Sequence, residues 1–90
     1  MKNLLPIGSV VLLKESTRRV MITGRVQRQE GTEKIWDYCA CLYPVGIIDP
    51  RQMFLFNHEQ IEAVFFIGFQ DKEELDYKKE VLSKYETTFE

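Results

Sequence analysis

Between Arg19 and Tyr43, apolar and polar residues alternate through two runs separated by the turn Glu30-Gly31-Thr32-Glu33. Period-two alternation gives a strand one face for a core and one for water, whereas a helix of that pattern scatters its apolar residues around its axis. This part of the chain is therefore read as two paired strands. In the first, Val20, Ile22 and Val26 interleave with polar or small residues, and Gly24 marks a bulge or sharp bend of the kind that curls a small sheet. In the second, Lys34 to Tyr43, one face carries Trp36, Tyr38, Ala40 and Leu42. The other carries Ile35, Asp37, Cys39, Cys41 and Tyr43.

The flanking segments extend the pattern. Pro6 and Gly8 break an entry segment, and Ser9 to Lys14 reads as a short buried strand before the polar turn Glu15-Ser16-Thr17-Arg18. Residues 44–50 form a loop with two prolines and a glycine, and its adjacent Ile47 and Ile48 are apolar for a loop. A fourth strand spans Gln52 to Phe56, Asn57 caps a short helical turn through Gln60, and a fifth strand runs from Glu62 to Phe69. Asp71 then caps a helix over about residues 71–86, with Glu74 as its capping-box partner. At helical spacing, Leu75, Tyr77, Val81, Leu82, Tyr85 and Phe89 gather on one face, and Lys72, Glu73, Lys79, Glu80 and Lys84 populate the other. The expected architecture is mainly β (α+β): a small curled antiparallel five-stranded sheet, an SH3-like barrel, over about residues 4–69, with one C-terminal helix. Residues 1–90 make a single domain.

Charge is divided along the chain. Residues 1–36 hold seven Lys or Arg against three Asp or Glu, and residues 37–90 hold five against eleven. A solvated acidic helix beside ordinary strands explains this, and so do two faces of opposite sign that orient a partner. The net charge of −2 has the wrong sign for a general nucleic-acid binder. Pro6 cuts the opening Leu4-Leu5 short, and no apolar run approaches the roughly 20 residues of a membrane helix, so the expected setting is cytoplasmic and reducing.

Residues that carry chemistry are sparse. Cys39 and Cys41 place two thiols on one strand face, but a structural zinc site needs about four ligands, and His58 is the only histidine. A disulfide between residues i and i+2 of an extended strand is strained. Small packed thiols and a structural histidine are the simpler readings. No G-K-S, G-K-T or G-x-S-x-G motif is present. The expectation is a non-enzyme without cofactor or metal. Protein binding is the favoured function. The alternative is a single-stranded nucleic-acid-binding small barrel that uses Lys14, Arg18, Arg19, Arg25 and Arg28 with Trp36, Tyr38 and Tyr43. Those aromatics alternate as core residues do, and the acidic half opposes phosphate, which argues against it.

Three ordered segments carry a resemblance. They are Leu5-Pro6-Ile7-Gly8-Ser9-Val10-Val11-Leu12-Leu13 with Met21-Ile22-Thr23-Gly24-Arg25, then Trp36-Asp37-Tyr38 with Leu42-Tyr43-Pro44-Val45-Gly46, and finally Leu55-Phe56-Asn57-His58-Glu59-Gln60-Ile61 with Val64-Phe65-Phe66-Ile67-Gly68-Phe69. Over about residues 4–77 the chain resembles the domain-of-unknown-function family numbered 4176, short proteins of Gram-positive bacteria. The resemblance implies a locus beside type VII secretion genes and LXG-type toxins. It thereby implies an accessory, adaptor or chaperone role toward such a toxin or its small helical accessory proteins. It carries over no catalytic residue. The candidate partner-binding residues are Tyr43, Val45, Ile47 and Ile48 in and beside the loop, and Tyr77, Val81, Tyr85 and Phe89 on the helix, with a homodimer left open. The loop is expected to dominate and the helix to be secondary.

Overall fold

The computed structural model describes residues 3–86, and the side chains of residues 3–84. Five strands form one antiparallel sheet: β1 (Val10–Leu13), β2 (Arg19–Arg28), β3 (Ile35–Leu42), β4 (Phe54–Phe56) and β5 (Ile61–Phe66). Their order is β4-β3-β2-β1-β5. The expected five-stranded antiparallel sheet and C-terminal helix are present. The sheet stays open, however, with β4 and β5 as its two edges, and does not close into a barrel.

The bulge expected at Gly24 decides what faces what. Ile22 pairs with Ala40 and Gly24 with Cys39, so Thr23 is the extra residue. Beyond it the alternation of β2 changes sense. Arg25, not Gly24, stands opposite Tyr38, on the face that Ile22 shares with Ala40. That inner face carries the core: Leu4, Val11, Val20, Ile22, Tyr38, Ala40, Phe56 and Leu82. Val26 packs against it with a φ of 55°, a left-handed backbone that β-branched residues rarely adopt.

The helix covering this face is not uniform. α1 (Lys72–Tyr77) passes through a π-helical stretch (Lys78–Leu82) into α2 (Ser83–Glu86). Asp71 caps α1 as expected, its Oδ1 accepting from Glu74 N–H at 2.9 Å. The Glu74 carboxylate turns instead to Arg25, so the expected capping box is not completed. The wider π turns take the helix out of its 3.6-residue phase. Leu75 and Leu82, seven apart, therefore leave their common face: Leu82 is buried and Leu75 is 51% exposed.

The entry segment is fastened at three points. Leu4 is buried, Leu5 N–H donates to Tyr38 Oη at 2.9 Å, and Lys78 Nζ donates to Asn3 Oδ1 at 2.9 Å. Buried Ser9 donates through Oγ to the Pro6 carbonyl and accepts from Gly68 N–H, at 2.8 and 3.0 Å. Gly8 and Gly68 meet backbone to backbone there, and a Cβ built on Gly68 would lie 2.1 Å from the Ile7 carbonyl oxygen. Only glycine fits.

Candidate functional site

The residues singled out for chemistry serve the fold. Asp37 is fully buried on β3, and its Oδ2 accepts from His58 N–H at 2.8 Å. His58 Nδ1 lies 2.7 Å from Tyr38 Oη. Asn57 Oδ1 accepts from Asp37 N–H at 3.1 Å, and Gln60 Oε1 accepts from Asn57 N–H at 2.8 Å. The cluster locks the turn His58–Gln60 onto β3, the structural role read for His58 and Asn57. Cys39 and Cys41 are free thiols, and Cys39 Sγ lies 3.6 Å from Thr23 Oγ1.

Arg25 and Glu74 form the one strongly buried ion pair among the described residues, with Nη1–Oε2 and Nη2–Oε1 distances of 2.9 and 2.7 Å. Their side chains are 5% and 12% exposed, and the Arg25 guanidinium lies 5.6 Å from the Tyr77 ring centre. The pair ties α1 to β2. It also floors a cleft of about 520 Å³ lined by Ile7, Phe69 and Tyr77. Tyr77, a candidate binding residue, is exposed at this cleft, while Val81 is half-buried and lines a neighbouring cleft with Val26 and Ile35. The Tyr85 side chain and Phe89 lie outside the described residues.

The other candidates lie in and beside the loop that follows β3. After the cis peptide Tyr43–Pro44, the Gly46 N–H returns to the Leu42 carbonyl at 2.8 Å. The loop then projects Val45, Ile47 and Ile48 into solvent, with Ile48 78% exposed. Arg51 braces it by donating from Nε, Nη2 and the backbone N–H to the Asp49 carboxylate. Those bonds hold the Asp49 carboxyl below its ordinary value of 3.8. Between loop and sheet lies a cleft of about 320 Å³.

Where β3 ends, on the face opposite the core, a groove of about 430 Å³ is lined by Val10, Arg19, Met21, Tyr43, Phe65 and Phe66. Sequence reasoning missed most of these residues. Val10 pairs with Phe66 and Val11 with Val64, so Phe65 is a bulge residue. A bulge sets two neighbouring side chains toward one face, and here it brings both rings to the groove. The available signal was the unbroken run Val64-Phe65-Phe66-Ile67. A strand apolar on both parities buries both faces only in the middle of a sheet, and β5 is an edge. The basic-aromatic set of the nucleic-acid reading is split. Tyr38 is in the core and Arg25 is paired with Glu74, leaving Arg19 and Tyr43 together.

No described helix is long and apolar enough to cross a membrane. A family model described as a domain of unknown function, DUF4176, matches residues 4–77. No curated protein and no solved structure matches the chain.

Proposed function

The chain belongs to the DUF4176 family, and from that membership we propose that it is a non-catalytic protein-binding module of the cytoplasm, an adaptor or chaperone for a type VII-secreted toxin. The observation that supports this is apolar surface left outside the core. Val45, Ile47, Ile48 and Phe54 are exposed at or beside the loop cleft, and Phe65 and Phe66 at the outer groove. Exposed apolar residues grouped at clefts in this way mark interaction sites on small domains. The side chains of Asp37, Tyr38, His58, Arg25 and Glu74 are engaged in bonds within the fold. In the setting the resemblance implies, the partner is an LXG-type toxin or one of its small helical accessory proteins.

The test is co-purification with the toxin encoded nearby. The double substitution Ile47→Asp, Ile48→Asp is expected to abolish capture while leaving the far-UV spectrum and melting unchanged. Truncation after Lys84 is expected to leave capture largely intact. Full capture by a folded loop variant would show that the loop is not the anchor, and loss of capture on truncation of a still-folded chain would move the interface to the helix.

A further inference from the structure

We propose that the outer groove beside β5 takes an apolar segment of another protein that carries a carboxylate, with Arg19 as the partner of that carboxylate. The proposal rests on the protein-binding reading above and adds the chemistry of what binds. Its first support is the groove itself. Val10 and Met21 are neighbours across β1 and β2 and form an apolar floor, while Tyr43 on one side and Phe65 and Phe66 on the other form walls. Its volume of about 430 Å³ suits one or two large side chains.

The second support is the state of Arg19. Its guanidinium carbon lies 5.2 Å from the Tyr43 ring centre and 5.4 Å from that of Phe65. Both are cation–π distances. The N–H edge of the guanidinium is the part that pairs with a carboxylate through two parallel hydrogen bonds. Among the described residues no carboxylate occupies that edge: Glu74 pairs with Arg25, Asp49 with Arg51 and Asp76 with Lys72. Arg19 is exposed yet held between two rings, so less side-chain freedom remains to be lost on binding.

The third support is where charge sits. Lys14, Arg18 and Arg19 lie in or beside the β1–β2 turn, with Glu15 as the one carboxylate there, and Arg19 lines the groove. On the helix over the inner face, Glu74 is paired with Arg25 and Asp76 with Lys72, and Asp71, Glu73 and Glu80 stand among Lys78, Lys79 and Lys84. The turn beside the groove therefore carries a net positive charge, which favours the approach of an acidic segment.

The experiment is selection of random peptides of about a dozen residues on the full chain, followed by fluorescence anisotropy with the enriched sequences. The expected consensus sets an aromatic or branched apolar residue within two positions of Asp or Glu. Arg19→Glu and Phe66→Ser should each weaken binding by about tenfold or more. Changing the peptide's acid to its amide should do the same against the unaltered protein, which keeps the test independent of how Arg19→Glu folds. The Ile47→Asp, Ile48→Asp variant should bind these peptides normally. No enrichment, enrichment without an acid, or unchanged affinity of a folded Arg19→Glu chain would overturn the proposal. So would a concentration-dependent dimer dissolved by Phe66→Ser, since a second copy would then fill the groove. Toxin capture that depends on the loop but not on Arg19 would leave the protein-binding reading standing and remove this one.

Discussion

At the scale of single residues, the fold turns on a few positions where nothing else fits. Gly68 is the sharpest. Its amide is held by Ser9 Oγ, and its missing side chain lets the chain after β5 lie against residues 7–9. Gly68→Ala places a methyl group 2.1 Å from the Ile7 carbonyl oxygen, so two backbone segments must separate and the Ser9 bonds open with them. The expected cost is about 3 kcal/mol or more, at the upper end for overpacking against an unyielding neighbour. In a chain of this size that lowers the melting temperature by roughly 12 °C or more. Gly31→Ala is the matched control. Gly31 has a φ of 80° but open space around it, so only the left-handed backbone penalty of about 1–2 kcal/mol applies. Thermal melts of the two variants separate crowding from backbone strain, and equal shifts would show that the clasp is looser than its geometry indicates.

At the scale of elements, the helix is joined to the sheet by charge as much as by apolar contact. Leu82 enters the core, but Leu75 and Tyr77 do not, and the Arg25–Glu74 pair fixes the first turn of α1. Glu74→Ala should cost about 3–5 kcal/mol, because it strands a guanidinium that is 5% exposed. The double change Arg25→Met, Glu74→Leu should recover most of that loss, since well-packed apolar groups commonly replace a buried pair without penalty. Urea unfolding of single and double variants measures both, and a double variant no better than the single would show the pair to be net stabilising in itself. This joint shows what could be read from the chain and what could not. Asp71 as a cap and Gly24 beside a bulge were legible, because each is a local demand of backbone geometry. Arg25 as an inward residue was not, because a one-residue bulge reverses every later face and strict alternation assigns Arg25 outward. The single apolar stripe on the helix failed for a similar reason. A π-helical stretch at Lys78–Leu82 has no sequence signature in period 3.6, yet it decides that Leu82 is buried and Leu75 is not.

At the scale of the whole molecule, the open sheet sets where the structure is firm and where it is available. β2 and β3 are long and central, and the core residues Val20, Ile22, Tyr38 and Ala40 lie on their shared inner face. β4 has three residues, and β5 pairs with β1 through two slips in register, between Val10 and Val11 and between Leu12 and Leu13. Such slips interrupt the ladder and twist an edge away from flat pairing with another chain, one way an apolar edge avoids aggregation. They also turn the Phe65 and Phe66 rings onto the outer face, so the device that protects the edge also builds the groove. Amide hydrogen exchange should reflect this arrangement. Amides that join β2 to β3 should open only with global unfolding and exchange slowest, whereas those of β5 and β4 that face away from the sheet should exchange fastest among the strands. A barrel closed in solution by β4–β5 pairing would instead protect the edge amides nearly as well as the central ones, and that result would refute the open sheet. When a groove-binding peptide is added, protection should rise along β5 and at Tyr43 and stay unchanged at β4. That outcome follows if the ligand lies across the outer face on the Phe65 side, and a rise confined to β4 and residues 45–53 would place the contact on the loop instead.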